Sequence, residues 1–176
     1  MNWPWPKGSK WVSFGGSHSS DGNGNVHSSL DFWRPTLCFF WGCDTPWVYS
    51  AHSGRVANRP FSRCNVRIVH SSDWQTDYYH MDDLLVSPGQ YVEQGQLLGR
   101  YANDYETATC NGGSSLGPHL HFSLVNPVGE YESLDGWNIS GYRITMSNKN
   151  YDRDCSKTYF EKNGRKYCHL EPLSHS

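Results

Sequence analysis

No run of apolar residues in this sequence approaches the roughly 20 that a membrane-spanning helix needs, so we expect no membrane span. Blocks of like charge are also missing. The 15 basic and 17 acidic residues give a formal net charge of -2, which argues against nucleic acid as a partner. No repeat or low-complexity linker divides the 176 residues. A chain of this length suits one domain with a real core, and we predict a single domain over residues 1–176.

Long stretches with a 3.6-residue apolar period are absent as well, which argues against a mainly helical fold. Short strand-like segments bounded by turn residues follow one another instead, for example residues 64–69 and 76–81 around a turn at Ser71-Ser72-Asp73. We therefore predict a mainly β fold, built on a compact antiparallel β-sheet core with long loops and few helices. Most of the 8 Trp and 11 Tyr are interpreted as packing within that fold.

The N-terminal region is predicted to be the least regular part of the chain. Residues 1–47 are rich in Trp, Pro, Gly and Ser, and we expect them to wrap over the core with few regular elements. Gly22-Asn23-Gly24 marks a tight turn within this region. Residues 1–6 lack the basic and apolar regions of a signal peptide. We expect a mature domain whose leader has been removed.

Cysteine spacing of the C-x2-C kind, typical of structural zinc sites, does not occur among the 6 cysteines. An even number of cysteines in a small polar domain favours disulfides and an oxidising compartment. Close spacing favours Cys38–Cys43 and Cys155–Cys168, which leaves Cys64–Cys110, although the sequence alone permits other pairings. Residues 142–145 and 159–170 are predicted to form a C-terminal hairpin with its turn at Asn163-Gly164. Cys155–Cys168 would staple this hairpin.

The most informative segment is residues 117–124, where His119 and His121 lie two positions apart. Leu120, Phe122 and Leu124 are apolar at alternate positions, which predicts a strand. Successive strand side chains point to opposite faces, so the two histidines share the face opposite the apolar row. Two imidazoles side by side on a strand suit zinc chemistry, with one as a ligand and one as a proton carrier.

A catalytic zinc needs further ligands, and the best candidates lie in residues 15–32. Asp31 stands between Leu30 and Phe32, which predicts an ordered and partly buried position. A buried carboxylate needs a partner, and a metal ion is a good one. A further histidine, His80, follows two tyrosines in residues 77–82.

Three motifs together resemble the LytM/lysostaphin-type zinc endopeptidases. They are G-x-H…D at residues 16–31, Y-x-H-[LM] at residues 78–81 and G-P-H-L-H-F at residues 117–122. The resemblance covers residues 15–125 as a motif-bearing core and leaves residues 126–176 as a C-terminal extension. That extension, with residues 147–155, is similar to the narrower LasA-type (staphylolytic) and β-lytic group. The two disulfides of that group resemble the set formed by Cys64, Cys110, Cys155 and Cys168, with Cys38 and Cys43 as an addition.

The resemblance implies one zinc ion per chain, held by His18, Asp31 and His121. The spacing leaves an alternative for the first ligand. Most of the wider family has H-x-x-x-D, which His27 and Asp31 match. His18 lies further upstream but follows the Gly-Gly-x that usually precedes the ligand, and the LasA-type group resembles this longer version. We favour His18 and keep His27 as the alternative.

The catalytic roles implied by the resemblance fall on His119 and His80. We expect His119 to be the general base and His80 the second proton carrier or the stabiliser of the tetrahedral intermediate, although the sequence does not assign which does which. Both are expected to titrate near neutral pH. Tyr151 and Tyr79 are candidates for substrate or oxyanion contacts. His52, His70, His169 and His175 have no motif context and are predicted to be structural or exposed.

The implied function is a secreted, monomeric endopeptidase that cleaves glycine-containing bonds in peptidoglycan cross-bridges and in elastin-like proteins. Glycine-rich chains suit a narrow groove because their backbone can approach closely. Two alternatives stay open at this point. One is a zinc amidase acting on another peptidoglycan bond, and the other is a non-catalytic peptidoglycan-binding module.

Overall fold

The computed structural model describes residues 1–20, 27–35 and 41–175. Sixteen strands and one short helix lie within these ranges, and every pairing between the strands is antiparallel. The elements are β1 (Lys10–Ser13), β2 (Ser29–Trp33), β3 (Trp47–Tyr49), β4 (Gly54–Ser62), β5 (Asn65–Val69), β6 (Gln75–Tyr79), β7 (Met81–Asp82), β8 (Tyr91–Val92), β9 (Leu97–Tyr101), α1 (Tyr105–Ala108), β10 (Leu120–Val125), β11 (Tyr131–Glu132), β12 (Asn138–Ile139), β13 (Tyr142–Thr145), β14 (Tyr159–Lys162), β15 (Arg165–Tyr167) and β16 (Leu173–Ser174).

The main sheet has the strand order β16-β1-β2-β10-β6-β5-β4-β8, with β11 paired to β10. Two smaller sheets flank it, β12-β13-β14-β15 and β3-β9-β7. The predicted fold class, mainly β with antiparallel sheets and few helices, is confirmed by this arrangement. Strand β10 begins directly after His119 and carries His121 between β2 and β6, so both of its edges are paired.

The alternation predicted for β10 sorts its side chains as expected. Leu120, Phe122 and Leu124 are buried in the core, and Phe122 packs edge-on against Tyr78 of β6 with ring centroids 5.5 Å apart. Because β2 also alternates, Leu30 and Phe32 are buried on the same side. The polar residues between them therefore face away from the core.

Tryptophans near the N-terminus fill the core rather than line a surface. Trp3, Trp5 and Trp11 are each at most 1% exposed and stack in series, with successive ring centroids 5.1 Å apart. Phe32 contacts both Trp3 and Trp5 in edge-on geometry. The interpretation of most aromatics as packing is confirmed for these residues.

The N-terminal region is more regular than predicted. Residues 10–13 and 29–33 form β1 and β2, two central members of the main sheet, so the expected irregular wrapping of residues 1–47 was wrong there. Aromatic and small polar residues in these short strands gave no clear alternation, and long-range pairing decided their structure. The predicted turn at Gly22-Asn23-Gly24 lies outside the described residues.

The C-terminal region forms the predicted hairpin, with β14 and β15 joined at Asn163-Gly164. Both turn residues have positive φ, 52° and 75°, as a tight hairpin turn of this kind requires. Residues 142–145 pair with the other edge of β14, which makes the unit a small sheet rather than a lone hairpin. Strand β16 then returns to pair with β1 of the main sheet.

Two predicted disulfides are confirmed, Cys64–Cys110 and Cys155–Cys168. The predicted Cys38–Cys43 pairing involves Cys38, which lies outside the described residues. Among the residues that the structure describes, no helix is long and apolar enough to cross a membrane.

Removing the disulfides is expected to destabilise the fold in order of loop length. The Cys155–Cys168 bridge spans 13 residues and the Cys64–Cys110 bridge 46. The chain-entropy model then gives losses of about 3 and about 4 kcal/mol in the free energy of unfolding. Denaturant unfolding of the two double-alanine variants, followed by tryptophan fluorescence, measures both values. Unchanged unfolding midpoints would show that the bridges do not stabilise the folded protein.

Candidate metal centre and catalytic cluster

A row of three side chains crosses the main sheet on its outer face. His121 of β10 lies directly opposite Asp31 of β2 on one side and opposite Tyr79 of β6 on the other. Direct cross-strand neighbours have Cβ atoms about 5 Å apart, so the antiparallel register alone brings these groups together. Residues distant in sequence thereby form one site.

Asp31 is the centre of this site. Its Oδ1 atom lies 3.0 Å from Nε2 of His18, 3.0 Å from Nδ1 of His121 and 3.5 Å from Nε2 of His119. The hydroxyl of Tyr151 donates a hydrogen bond of 3.1 Å to the other oxygen, Oδ2. The carboxylate is 9% exposed, so these contacts replace most of its hydration.

His18 reaches Asp31 because its backbone is attached to the end of β2. The His18 and Ser29 backbones exchange two hydrogen bonds, of 2.9 and 3.1 Å. The alternative histidine, His27, is directed elsewhere: its Nδ1 lies 3.2 Å from the carbonyl oxygen of Ser17. Of the two candidates, His18 is the one that joins Asp31 and His121.

The Gly15-Gly16 pair before His18 is explained by a close approach of two backbones. The amide of Gly16 donates to the carbonyl of Asp152 at 2.8 Å, and a Cβ at Gly16 would lie 2.8 Å from Thr158 Cγ2. Gly15 has a φ of +139° and faces the Tyr151 backbone. The glycines thus couple the His18 segment to the segment that carries Tyr151.

His80 enters the site through a break in β6. Its φ of 61° is unusual for a residue other than glycine, and the strand ends at Tyr79. Normal alternation would send neighbouring side chains to opposite faces. The left-handed turn instead brings the His80 ring within 4.5 Å of the Tyr79 ring and 4.6 Å of the His119 ring, measured between centroids. The predicted strand over residues 76–81 therefore stops early.

Backbone carbonyls orient His80 and His119, the two histidines predicted to have catalytic roles. Nδ1 of His80 donates to the Ala108 carbonyl at 2.7 Å, and Nδ1 of His119 donates to the Gly117 carbonyl at 2.8 Å. A neutral imidazole has one N–H, so Nε2 of each ring is unprotonated when the ring is neutral. His119 directs its Nε2 toward Asp31.

The donor set of His18, Asp31 and His121 fits a divalent metal ion. Within residues 1–20, 27–35 and 41–175, it is the one group of three or more His, Cys, Asp or Glu side chains spaced to hold an ion. One ligand atom from each lies within 4.8 Å of the others. Tetrahedral zinc with bonds of about 2.0–2.2 Å would separate such atoms by roughly 3.3 Å. Two imidazoles with one carboxylate also match the ligand types that zinc prefers.

The surroundings of His119 and His80 shift the pKa values of these two histidines in opposite directions. Burial disfavours charge on Asp31, but His119 and the hydrogen bonds from three imidazoles hold the pKa of the carboxyl well below its usual range. Burial likewise opposes charge on His119, yet the Asp31 carboxylate outweighs it and raises the pKa of His119. Burial, with His119 and His121 nearby, lowers the pKa of His80 to about 3. The expectation that both histidines titrate near neutral pH was therefore wrong for His80.

The two candidate tyrosines differ in what their hydroxyls do. The Tyr79 hydroxyl donates to the Gly112 carbonyl at 2.6 Å and accepts from the Asn111 amide, so it is tied to the neighbouring loop. The Tyr151 ring stacks on His18 with centroids 4.3 Å apart. Burial and the Asp31 charge raise the pKa of Tyr151, which keeps the hydroxyl protonated as a donor.

The histidines without motif context lie apart from the contacts described above. His52 is exposed and packs on buried His70, whose ring nitrogens contact the Ser53 carbonyl and the Thr76 hydroxyl. Nδ1 of His175 contacts the Trp5 carbonyl at 2.7 Å. His169 is partly buried.

Sequence reasoning missed the groups that orient the cluster. The carbonyls of Ala108 and Gly117 carry no residue-type signal, because any residue supplies a carbonyl. Ser115, whose hydroxyl lies 3.3 Å from Nδ1 of His119, and Ser20, 3.3 Å from Nε2 of His121, belong to serine-rich loops in which no motif marks them.

Comparison with known proteins gives consistent matches. A model of peptidase family M23 matches residues 38–133. The chain is 44% identical over 178 residues to Protease LasA of Pseudomonas aeruginosa, with 98% of this chain covered. It is 38% identical over 170 residues to the beta-lytic metalloendopeptidase of Lysobacter enzymogenes, covering 96% of this chain and 92% of that protein.

A solved structure described as the novel M23 metalloprotease pseudoalterin from the deep sea is also similar. Its sequence is 49% identical, the TM-score is 0.92, and the alignment covers 99% of this chain and 97% of that one. The chain spans 40% of the length of Protease LasA. The resemblance drawn from the three motifs, and from the C-terminal extension, is confirmed by these matches.

Histidine titration in the chelator-treated protein tests the electrostatics directly. We expect His119 to gain its proton above pH 6.5, the ordinary histidine pKa, and His80 to stay neutral down to about pH 4. Asp31→Asn removes the attractive charge, so it should lower the pKa of His119. Histidine side-chain NMR shifts followed against pH report each ring separately. A pKa near 6.5 for His80, or an unchanged His119 in Asp31→Asn, would contradict the assignment.

Proposed function

This chain belongs to peptidase family M23, and we propose on that premise that it is a zinc-dependent endopeptidase acting on glycine-containing peptide bonds of peptidoglycan cross-bridges. The observation that carries the proposal is the convergence of His18, His119 and His121 on one buried carboxylate, Asp31. Peptide hydrolysis requires an activated water and a nearby base. In this cluster, His18, Asp31 and His121 could hold a metal that activates water, and His119 could act as the base.

We propose one zinc ion per chain with His18 Nε2, Asp31 Oδ1 and His121 Nδ1 as protein ligands. Three protein ligands leave one position of a tetrahedral site open, as catalytic zinc sites do. The 3.0 Å contact of His18 with Asp31 supports this set over one that includes His27. Zinc, when bound, supplies a Lewis acid that activates water and polarises a carbonyl.

His119 is proposed as the general base. Its Nδ1–H is held by the Gly117 carbonyl, so Nε2 is the atom of the neutral ring that takes a proton from the attacking water. Once the ring has taken that proton it is an imidazolium, which can give the proton to the departing amine. One residue thereby serves both halves of the reaction.

His80 is proposed as a hydrogen-bond acceptor that orients the water. Its Nδ1–H is committed to the Ala108 carbonyl, which leaves an unprotonated Nε2 that accepts but does not donate. With a pKa of about 3, the ring stays neutral over the working pH range. These features argue against His80 as a donor to the oxyanion of the tetrahedral intermediate.

Tyr151 is the better candidate for that donor. Its hydroxyl already contacts Asp31 at the cluster, and the side chain is 41% exposed, so a substrate can approach it. Tyr79 is proposed to form part of the groove wall, because its hydroxyl is committed to the Gly112 carbonyl. Both roles concern substrate rather than metal.

The cellular setting proposed is outside the cell, where disulfides persist. The two described disulfides support it.

Residues 126–176 are proposed to belong to the same domain as the motif-bearing core, since Tyr151 reaches Asp31 and β16 pairs with β1. All proposed site residues come from one chain, which supports action as a monomer. Glycine-rich protein such as elastin is proposed as a second substrate class.

The decisive test is fragment analysis after incubation with pentaglycine and with purified cell walls. We expect new fragments with N-terminal glycine, identified by mass spectrometry, and their loss when a chelator removes the metal. Fragments released by cleavage next to muramic acid, with pentaglycine intact, would instead indicate an amidase. Binding to cell walls without any released fragment would indicate a non-catalytic binding module.

The matched variants for this assay are His119→Ala and His52→Ala. His119→Ala should keep the zinc content of the unaltered protein and lose activity by about 10²-fold to 10⁴-fold, the usual effect of removing a general base. His52 is exposed and lies outside the cluster, so His52→Ala should retain full activity. Full activity in His119→Ala would exclude the proposed base.

A further inference from the structure

A hydroxyl group faces the outer nitrogen of His121. Nε2 of His121 lies 3.3 Å from Oγ of Ser20, while Nδ1 of the same ring lies 3.0 Å from Asp31. A neutral imidazole that binds a metal through Nδ1 must carry its proton on Nε2. That proton then needs an acceptor, and Ser20 is positioned to be one.

Ser20 is one of four serines whose hydroxyls contact each other. Oγ of Ser20 lies 2.9 Å from Ser123 and accepts from Ser28 at 3.1 Å, and Ser29 lies 2.7 Å from Ser123 and 3.4 Å from Ser28. We call this group the serine ring: Ser20, Ser28, Ser29 and Ser123. Ser28, Ser29 and Ser123 are at most 1% exposed, so water does not compete for their hydrogen bonds.

The register of the sheet places this ring beside the metal ligands. Ser29 and Ser123 are directly opposite each other, two positions along β2 and β10 from the Asp31 and His121 pair. Residues two apart on a strand share a face, so the serine pair lies under the ligand pair. The ring is therefore built into the same strands that present the ligands.

The hydrogen bonds of the serine ring can all run in one direction around it. Each hydroxyl has one proton and two lone pairs. Ser28 donates to Ser20, and the circuit closes if Ser20 donates to Ser123, Ser123 to Ser29 and Ser29 to Ser28. The proton of Ser20 is then committed within the ring, and its second lone pair is left for Nε2–H of His121.

We propose that the serine ring is a positioning device: when the metal takes the Nδ1 lone pair and the His121 proton lies on Nε2, the ring accepts that N–H and keeps Nδ1 directed at the metal. The inference rests on the proposed role of His121 as a zinc ligand. Outer partners of ligating histidines set the tautomer and ring orientation, and losing one commonly weakens metal binding about 10-fold to 100-fold. The ring serines do not touch the metal themselves.

The test compares Ser20→Thr with Ser20→Val, two side chains of matched shape that differ in the hydroxyl. Zinc affinity, measured by competition with a chromophoric chelator, should fall about 10-fold to 100-fold in Ser20→Val and stay near that of the unaltered protein in Ser20→Thr. Ser20 is only partly buried, so both variants are expected to fold, and the unfolding midpoint of the metal-free forms checks this. Ser50→Ala is the control, because Ser50 is a buried serine whose hydroxyl donates to the His52 carbonyl, outside the ring.

Each result has a distinct meaning. Weakened zinc binding in Ser20→Val alone supports the positioning role. Equal affinities in Ser20→Val and Ser20→Thr, whether both normal or both weakened, would overturn it, and so would an equal loss in Ser50→Ala. Failure of the unaltered protein to bind zinc would overturn the proposed function itself, and this inference with it.

Discussion

The buried carboxylate of Asp31 is the group on which the rest of the site depends, because a charge removed from water needs close partners. Three imidazoles and one phenol surround it. Their hydrogen bonds keep Asp31 ionised despite its burial, and its charge in turn raises the pKa of His119. In the proposed function, metal binding and proton transfer would therefore both involve this carboxylate.

Segments far apart in sequence reach this carboxylate by different means. His121 and Asp31 meet through the register of adjacent strands, whereas His18 arrives through its backbone exchange with Ser29. Tyr151 arrives through the close packing of its segment on Gly15 and Gly16. The site therefore exists only in the folded chain, and the C-terminal extension contributes to it directly.

Much of the site could be predicted from the sequence, because alternation and motif spacing act locally. The shared face of His119 and His121 followed from the apolar residues between them, and the ordered position of Asp31 followed from Leu30 and Phe32. The left-handed turn at His80 had no signal in the sequence, since few residues other than glycine adopt this conformation. The strands within residues 1–47 and the serine ring depend on long-range pairing, which one sequence does not reveal.

The central question for this site is which histidine, His18 or His27, completes the proposed metal ligands around Asp31. The most direct measurement is the zinc content of purified His18→Ala and His27→Ala, determined by elemental analysis alongside the unaltered protein. The geometry predicts that His18→Ala loses the metal and that His27→Ala keeps one zinc per chain. Loss of zinc in His27→Ala with retention in His18→Ala would contradict the arrangement described for this site.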